Sequence, residues 1–404
     1  MRASKFLSAI IAGVAVSAAC GGSAPSSGSS QQKPALRVAI VTSQSGPYAV
    51  IGAQAIRAVN FAVKEANAKG GIKGRPVEAV LIDDQGTTDG AVQAANRAVK
   101  QEHAPFITGI VASSQSLAIA ATIDQLNGLY VATISKTDTL TGKNCDSRVF
   151  RANKSDSMDL NAVGPWLKDR PEKTWSILAA DYEWGHDSAK AFTATAEKLG
   201  RKVDKTLYSP LGTKDFAPYI AQLAASGSDG LWVSLSGGDA NNFAQQAISF
   251  GLLKRFTAVV GNNFVTDATM KSVGDGLVGV WGTVNYSFTL DTPANRKFVE
   301  EWHKEYARTN PSNFEGKEYV GMQLLFAAVA KADSIDPAKV AKAMLGLTTE
   351  TVFGSSQMRA ADHQLVSPNY VGQVTKVASG LAYKITVTAN GQQASPAANP
   401  DCHI

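Results

Sequence analysis

Short apolar runs alternate with amphipathic stretches along the first third of the chain. Apolar runs at residues 36–41, 77–84, 105–111 and 129–134 predict strands. Between them, apolar side chains recur every three or four positions at residues 52–69 and 89–102, which predicts helices. Strands that alternate with helices in this way indicate a parallel sheet covered by helices on both faces.

The alternation restarts after a short extended piece at residues 148–152. It predicts strands at 174–180, 201–208, 230–235, 258–260 and 278–281, and helices at 157–167, 187–199, 216–225 and 241–250. After Tyr286 we expect helices at 295–308, 317–331 and 337–345. A late β hairpin or meander follows, formed by Met358, Val366, 370–377 and 381–387. Two similar α/β lobes with several chain crossings between them would form a hinge and leave a cleft between facing strand ends.

Polar loops follow three predicted strands of the first lobe, at residues 43–48, 112–116 and 135–139. Ligands bind at the carboxyl ends of parallel strands, so these loops are expected at one edge of the sheet. Ser113, Ser114 and Ser116 lie at the predicted start of a helix, where backbone N–H groups lack partners and the helix dipole is positive. This pattern predicts an anion site. The alternative is that one serine is simply the N-cap.

Aromatic and acidic side chains follow the predicted strands of the second lobe. They are Tyr182, Trp184, Asp239 and Phe264. A purely structural role is the alternative to ligand binding for these residues. Trp184 could belong to the core, and Asp239 could be the N-cap of the helix from Asn241. Lys136, after the fourth strand, could contact a ligand or be a solvated side chain.

The N-terminus has the three regions of a secretory signal. Arg2 and Lys5 precede the apolar run of residues 6–16, and small residues then lead to Cys20. The Gly/Ser-rich segment after Cys20 predicts a flexible tether. We therefore expect a bacterial lipoprotein, with Cys20 lipidated after cleavage, although Ser17 replaces the usual aliphatic residue. The alternative is an ordinary cleaved signal peptide.

Composition narrows the classes of function. The formal net charge of the 404 residues is +5, with no basic stripe, so nucleic acid is not an expected partner. Apart from Cys20, the cysteines are Cys145 and Cys402, which we expect to pair outside the cytoplasm. No Cys/His cluster has metal-ligand spacing, so we expect no bound metal, and nothing in the sequence indicates a cofactor. None of the five histidines is accompanied by a nucleophile motif, so we do not expect an enzyme.

Several motifs spread over the mature chain resemble the periplasmic solute-binding proteins of ABC transporters, in the branched-chain amino acid type. The most specific is Asn-x-Lys-Gly-Gly-Ile-x-Gly-Arg-Pro at residues 67–76, followed by a strand that ends in Asp83-Asp84. The others are Ser45-Gly46-Pro47, Ser113-Ser114, Phe150-Arg151, Asp181 through Trp184-Gly185, and Asp362-His363-Gln364 before Tyr370-Val371. The pairing of Cys145 with a cysteine near the C-terminus resembles one subgroup.

The resemblance implies a two-lobed α/β protein of the type I periplasmic-binding fold, each lobe a parallel sheet with helices on both faces, joined by a multi-strand hinge. It divides the chain into a signal peptide (1–20), a tether (21–35), lobe 1 (36–152 and 284–350), lobe 2 (153–283 and 351–393) and a tail returning to the hinge (394–404). A monomer on the extracytoplasmic side, anchored through Cys20, is expected to deliver its solute to membrane permease subunits.

The resemblance also assigns ligand contacts. Ser113 and Ser114 match the positions that hold a ligand carboxylate, and Thr137 matches a hydroxyl at its polar head. From lobe 2, Trp184 with Tyr182 matches the aromatic cover, and Asp239 falls near an acid that pairs with an α-ammonium. Phe264 is a further aromatic candidate at a strand end of lobe 2, and Ser45 and Tyr48 belong to a loop at the cleft mouth.

The sequence alone leaves other functions open. The solute could be an aromatic or aliphatic acid or an amide instead of an amino acid, and the same fold could serve a membrane signalling partner as a sensor. An extracytoplasmic hydrolase is a further alternative, but the sequence lacks a nucleophile elbow and a paired-carboxylate arrangement for it.

Overall fold

Two large sheets organise the part of the chain that the computed structural model describes, residues 33–404. The strands are β1 Leu36–Thr42, β2 Val77–Asp83, β3 Phe106–Thr108, β4 Leu129–Ala132, β5 Val149–Arg151, β6 Thr174–Ala180, β7 Lys202–Ser209, β8 Gly230–Ser234, β9 Ala258–Gly261, β10 Trp281–Val284, β11 Thr348–Thr351, β12 Gly354–Met358, β13 Leu365–Val366, β14 Asn369–Val377 and β15 Gly380–Ala389. The helices are α1 Ala49–Ala68, α2 Thr88–Lys100, α3 Ser113–Ala120, α4 Asp156–Lys168, α5 Glu183–Lys198, α6 Ala217–Ala224, α7 Gly237–Ser249, α8 Asp267–Val273, α9 Pro293–Glu305, α10 Asn313–Ala332, α11 Pro337–Met344 and α12 Gly391–Ala394.

The first sheet is parallel throughout, in the order β2-β1-β3-β4-β5. The second has the order β15-β14-β10-β9-β8-β6-β7. Its strands β6 to β10 are parallel, while β14 and β15 form the antiparallel hairpin predicted near the end of the chain. The predicted architecture of two parallel α/β lobes is confirmed.

We call the first sheet with α1–α3 and α9–α11 lobe 1, and the second sheet with α4–α8 and α12 lobe 2. The chain passes between them at residues 152–155, 285–292 and 367–368, and the tail after α12 returns to lobe 1 at Cys402. Aromatic packing fixes the returning helices of lobe 1, where Phe298 of α9 stacks on Tyr319 of α10 with ring centroids 4.2 Å apart. Phe61 of α1 contacts both rings at 5.6 Å. Because each lobe has its own packed core and only these segments join them, a hinge rotation is the large movement that the architecture permits.

Two of the sequence motifs have structural roles away from the cleft. The Asn67 carboxamide makes two 2.8 Å hydrogen bonds with the backbone of Val77, and so fixes how α1 leads into β2. Arg151, 2% exposed, donates from Nε to Gln364 Oε1 at 2.6 Å and from its Nη1 to the carbonyl of Thr137. The second motif therefore joins β5 to β13 and supports the loop after β4.

Some predicted elements differ from the structure. β10 begins at Trp281 instead of 278, because Gly279 has φ of +93° and ends a turn there. α5 and α7 each begin four residues earlier than predicted, at Glu183 and Gly237. Helix α8 and strand β11 have no counterpart among the predictions, while Met358 and Val366 of the predicted late β region lie in β12 and β13. The small sheet β11-β12-β13 packs on α9 and α10 of lobe 1. The predicted domain boundaries stay predictions.

The structure describes the C-terminal end of the chain but not the first 32 residues. Cys20, the signal peptide and most of the tether lie outside the described residues. None of the helices formed by residues 33–404 combines the length and apolar character that crossing a membrane requires. The predicted disulfide between Cys145 and Cys402 is confirmed, and it links positions 257 residues apart.

Candidate functional site

A narrow cavity lies between the two lobes, at the carboxyl ends of strands from both sheets. Lobe 1 contributes Tyr48, Ile51, Val111, Ser113, Ile134, Lys136 and Phe314, and lobe 2 contributes Tyr182, Trp184, Ser236 and Asn263. The space between these side chains has room for about one water molecule. A solute of amino-acid size can therefore enter only when the lobes separate.

Five helices begin at this cavity: α1, α3 and α10 from lobe 1, and α5 and α7 from lobe 2. The N-caps of α1, α3, α5 and α7 are Tyr48, Ala112, Tyr182 and Ser236, and none of these side chains caps its helix. Among the other helices of residues 33–404, α6 also lacks such a cap, whereas α2, α4 and α8 to α12 have an N-cap side chain that accepts a backbone hydrogen bond. Uncapped helix starts present free N–H donors and positive dipole ends, so the cavity is prepared for negative charge.

Ser113 is the first residue of α3 and is 1% exposed. Its Oγ accepts from Ser135 Oγ at 3.2 Å and from the N–H groups of Lys136 and Thr137 at 3.4 Å. Its own hydroxyl hydrogen is left to donate. The alternative that a serine is the N-cap is wrong, because Ala112 holds that position. Ser116 also departs from the prediction: its N–H bonds to Ala112 at 3.0 Å and its Oγ contacts Tyr130.

Aromatic side chains close the cavity from both lobes. The rings of Tyr48 and Tyr182 meet edge to face across the lobes, with centroids 6.4 Å apart, and Trp184 lies 6.0 Å from Tyr182. The Trp184 indole N–H donates to Asp156 Oδ1 at 3.2 Å. Burial raises the pKa of Tyr48, Tyr182 and Asp156, which favours their neutral forms.

Lys136 was predicted as a solvated side chain or a ligand contact. The solvated interpretation is wrong: Lys136 is 1% exposed and lines the cavity. Its Nζ donates to Asp159 Oδ2 and, at 2.7 Å, to Asn262 Oδ1, both in lobe 2. A sequence offers no signal for this position, since its partners are 23 and 126 residues away.

Asp239 lies outside the cavity lining. Both of its carboxylate oxygens are near the N–H of Gly212, at 3.1 and 3.0 Å. Burial raises the pKa of Asp239 to about 6, although the Gly212 N–H opposes the shift. The N-cap interpretation is wrong, because α7 already begins at Gly237 and Asp239 is its third residue.

The other predicted contacts also lie outside the lining. Ser45 is exposed, and Ser114 is half-buried beside Ser113. Thr137 is buried and donates from Oγ1 to Asp187 of lobe 2. Phe264 is fully buried and packs on Phe243, with ring centroids 5.6 Å apart. The cavity thus brings together Tyr48, Ser113, Tyr182 and Trp184 of the predicted set, and adds residues that sequence reasoning missed, Ser236, Asn263 and Phe314 among them.

Residues 35–380 match the family model described as periplasmic binding protein. This chain belongs to the periplasmic binding protein family. The family consists of solute-binding proteins of ABC transporters, a role that involves no catalysis. The resemblance seen in the sequence is therefore confirmed, and the hydrolase alternative is excluded.

Individual periplasmic binding proteins share the whole fold at low identity. Leu/Ile/Val-binding protein homolog 4 of Brucella abortus (strain 2308) is 28% identical over 370 residues, 85% of each chain. The solute-binding protein from Rhodopseudomonas palustris BisB5 in complex with 3,4-dihydroxybenzoic acid superposes with a TM-score of 0.82 at 23% identity, covering 91% of this chain and 98% of that one. The amino acid ABC transporter substrate-binding protein from Pseudomonas fluorescens Pf-5 gives 0.79 at 26%, covering 89% and 96%.

Proposed function

We propose that this protein is the receptor of an ABC importer for a small solute that bears a carboxylate. The observation that carries the proposal is the interlobe cavity, onto which uncapped helix starts from both lobes converge. The free N–H groups at the start of α3, together with the Ser113 hydroxyl, are suitable donors for the two oxygens of a carboxylate.

Capture would proceed by hinge closure. Residues from both lobes surround the cavity, so a solute contacts both only in the closed form and shifts the population towards it. Other interlobe contacts accompany closure at the rim. The backbone N–H of Asn313 donates to Asp267 at 2.8 Å, and Thr137 donates to Asp187.

The proposal extends to where the protein works. A lipid at Cys20 would hold the receptor on the extracytoplasmic side of a membrane, where permease subunits would receive the solute. The disulfide supports this placement, because such bonds persist in oxidising compartments. The closed lobes would present one continuous surface to the permease, and we expect the receptor to act as a monomer.

The solute would be either an amino acid, as the name of the Brucella relative says of that protein, or an aromatic acid, as bound by the Rhodopseudomonas protein. Both carry a carboxylate. Calorimetry of the purified protein with amino acids, aromatic acids, aliphatic acids and uncharged amides tests the proposal. We expect saturable binding by at least one carboxylate. Binding of amides alone, or turnover of any of these compounds, would contradict it.

A further inference from the structure

We infer that the solute is a carboxylic acid that carries no ammonium group and has a flat or branched apolar body. The inference rests on the proposed function and names the class of solute for the same cavity. An amino acid and the matching acid differ only in one cationic group, so the charges around the cavity decide between them.

The described residues that line the cavity include no carboxylate. They supply one ammonium group, from Lys136, along with hydroxyls, the Asn263 carboxamide and apolar or aromatic side chains. A ligand ammonium in this enclosed space would lose its water and find no counter-charge, which is a costly arrangement.

Four carboxylates of lobe 2 adjoin or contact lining residues without lining the cavity themselves: Asp156, Asp159, Glu183 and Asp239. Asp159 is paired with Lys136, and Asp239 accepts from the Gly212 N–H. Asp156 contacts the Trp184 indole through Oδ1, and its Oδ2 has no partner among residues 33–404. Asp156 does not line the cavity, its Oδ1 also accepts from Asn262 at 2.8 Å, and its burial raises its pKa, which favours the neutral acid.

Other groups around the cavity favour a negatively charged ligand. The starts of α3, α5 and α7 face the cavity without caps. Behind Phe314, which lines the cavity, the Nζ of Lys317 lies 4.3 Å from the ring centroid. Lys317 is 3% exposed, and its Nζ has no hydrogen-bond partner among the described residues. Burial lowers the pKa of Lys317, which favours its neutral amine as a hydrogen-bond donor. Glu183 and Asp239 lie in the first turns of α5 and α7, whereas the first turn of α3 contains no acid, so an anion gains most at the start of α3. A zwitterion would forfeit much of that gain through its ammonium.

The aromatic side chains that line the cavity indicate what the rest of the solute is. Tyr48, Tyr182, Trp184 and Phe314 supply aromatic faces and edges from both lobes. Such a surface favours an aromatic or branched hydrocarbon body.

Matched pairs of solutes test the inference. Leucine is compared with 4-methylpentanoate and phenylalanine with 3-phenylpropanoate, each by titration calorimetry on the purified protein. We expect the simple acid of at least one pair to bind about 30-fold or more tightly than its amino acid. Amino acids that bind as tightly as, or more tightly than, the acids would overturn the inference and leave the proposed function standing. If no carboxylate of the wider panel binds, the proposed function fails as well.

A gain of charge gives a second test. Ser236→Asp places a carboxylate on the cavity at the N-cap of α7, a position that Asp suits. The preference for the simple acid should fall at least about tenfold. Ser249→Asp, at the exposed far end of the same helix, is the control and should leave the ratio unchanged. Thermal denaturation establishes that both variants fold. A folded Ser236→Asp variant with an unchanged ratio would contradict the inference.

Discussion

Lys136 of lobe 1 and Asp159 of lobe 2 form an ion pair across the hinge, with side chains 1% and 0% exposed. The other carboxylate oxygen of Asp159 accepts from the carboxamides of Asn285 at 2.7 Å and Asn369 at 2.8 Å. These two residues lie at the second and third crossings of the chain. One buried carboxylate therefore connects a cavity-lining lysine to residues at two of the hinge segments.

Lys136→Met should destabilise the protein strongly. It leaves Asp159 buried without its counter-charge, and breaking a buried pair in this way costs about 3–5 kcal/mol. Urea denaturation followed by circular dichroism measures the change. Adding Asp159→Asn should restore at least half of the loss, because the uncompensated charge is then removed. Lys376→Met, which breaks the exposed pair with Asp275, is the control and should leave the unfolding free energy nearly unchanged.

Ser113→Ala should weaken carboxylate binding by roughly 10- to 100-fold, since a hydrogen bond to a charged group contributes about 1.5–3 kcal/mol. Ser114→Ala is the matched control on the next residue, which does not line the cavity. Calorimetry with the tightest acid of the panel measures both. Equal affinities for Ser113→Ala and the unaltered protein would remove Ser113 from the binding site.

Gly237→Ala should hinder closure. Gly237 has φ of +59°, and a Cβ there would lie 2.3 Å from the carbonyl oxygen of Pro47 in the opposite lobe. We expect solute affinity to fall at least about tenfold while the isolated lobes keep their packing. Gly251→Ala is the control: at φ of +68° it carries similar backbone strain, but its Cβ meets no atom within 4 Å. Small-angle scattering with solute should show Gly237→Ala more open than the control.

The stability of the folded protein should depend on pH through the buried carboxyl group of Glu318. Burial raises its pKa to about 7 from 4.5, against hydrogen bonds from Thr108 and Thr133. The folded state therefore binds more protons than the unfolded state between these two values, and this group lowers stability as pH rises through that window. Glu318→Gln cannot ionise. Its melting temperature relative to that of the unaltered protein should increase from pH 5 to pH 8, and a constant difference would contradict the assignment.

Removing the disulfide should lower the free energy of unfolding. In the chain-entropy model, a bridge over 257 residues contributes up to about 5 kcal/mol. Cys145→Ser with Cys402→Ser should reproduce the melting temperature of the reduced protein. The same double variant should not respond to reductant, which is the control for other effects of the reducing agent.

Much of the fold follows from local patterns. Strand β6 matches its predicted residues, because the run at 174–180 is wholly apolar or small and is bounded by polar turns. The same kind of pattern gave a wrong start for β10: the side chains at 278–281 suit a strand, but pairing with β9 begins only at Trp281. Helix α8 is short and polar, so its periodicity gives little signal.

The site was less accessible to sequence reasoning. The serine turn was found because a helix start after a buried strand has a recognisable composition. No local sequence pattern distinguishes Lys136 or Asn263, because their places in the cavity depend on residues brought from the other lobe. Asp239 shows the opposite case, because its place near a strand end suggested a ligand contact and its carboxylate instead fastens a neighbouring loop.

The bond between Cys145 and Cys402 makes most of the polypeptide a covalent ring. The tail reaches it from lobe 2, where Asn161 of α4 donates to the carbonyl of Ala394, and then returns to lobe 1. A protease that cuts once anywhere between these cysteines, including at a hinge crossing, would leave the two pieces joined. Such a nick would release no fragment until a reductant opened the bridge, so the receptor could keep both halves of its cleft after damage that would separate an unbridged chain.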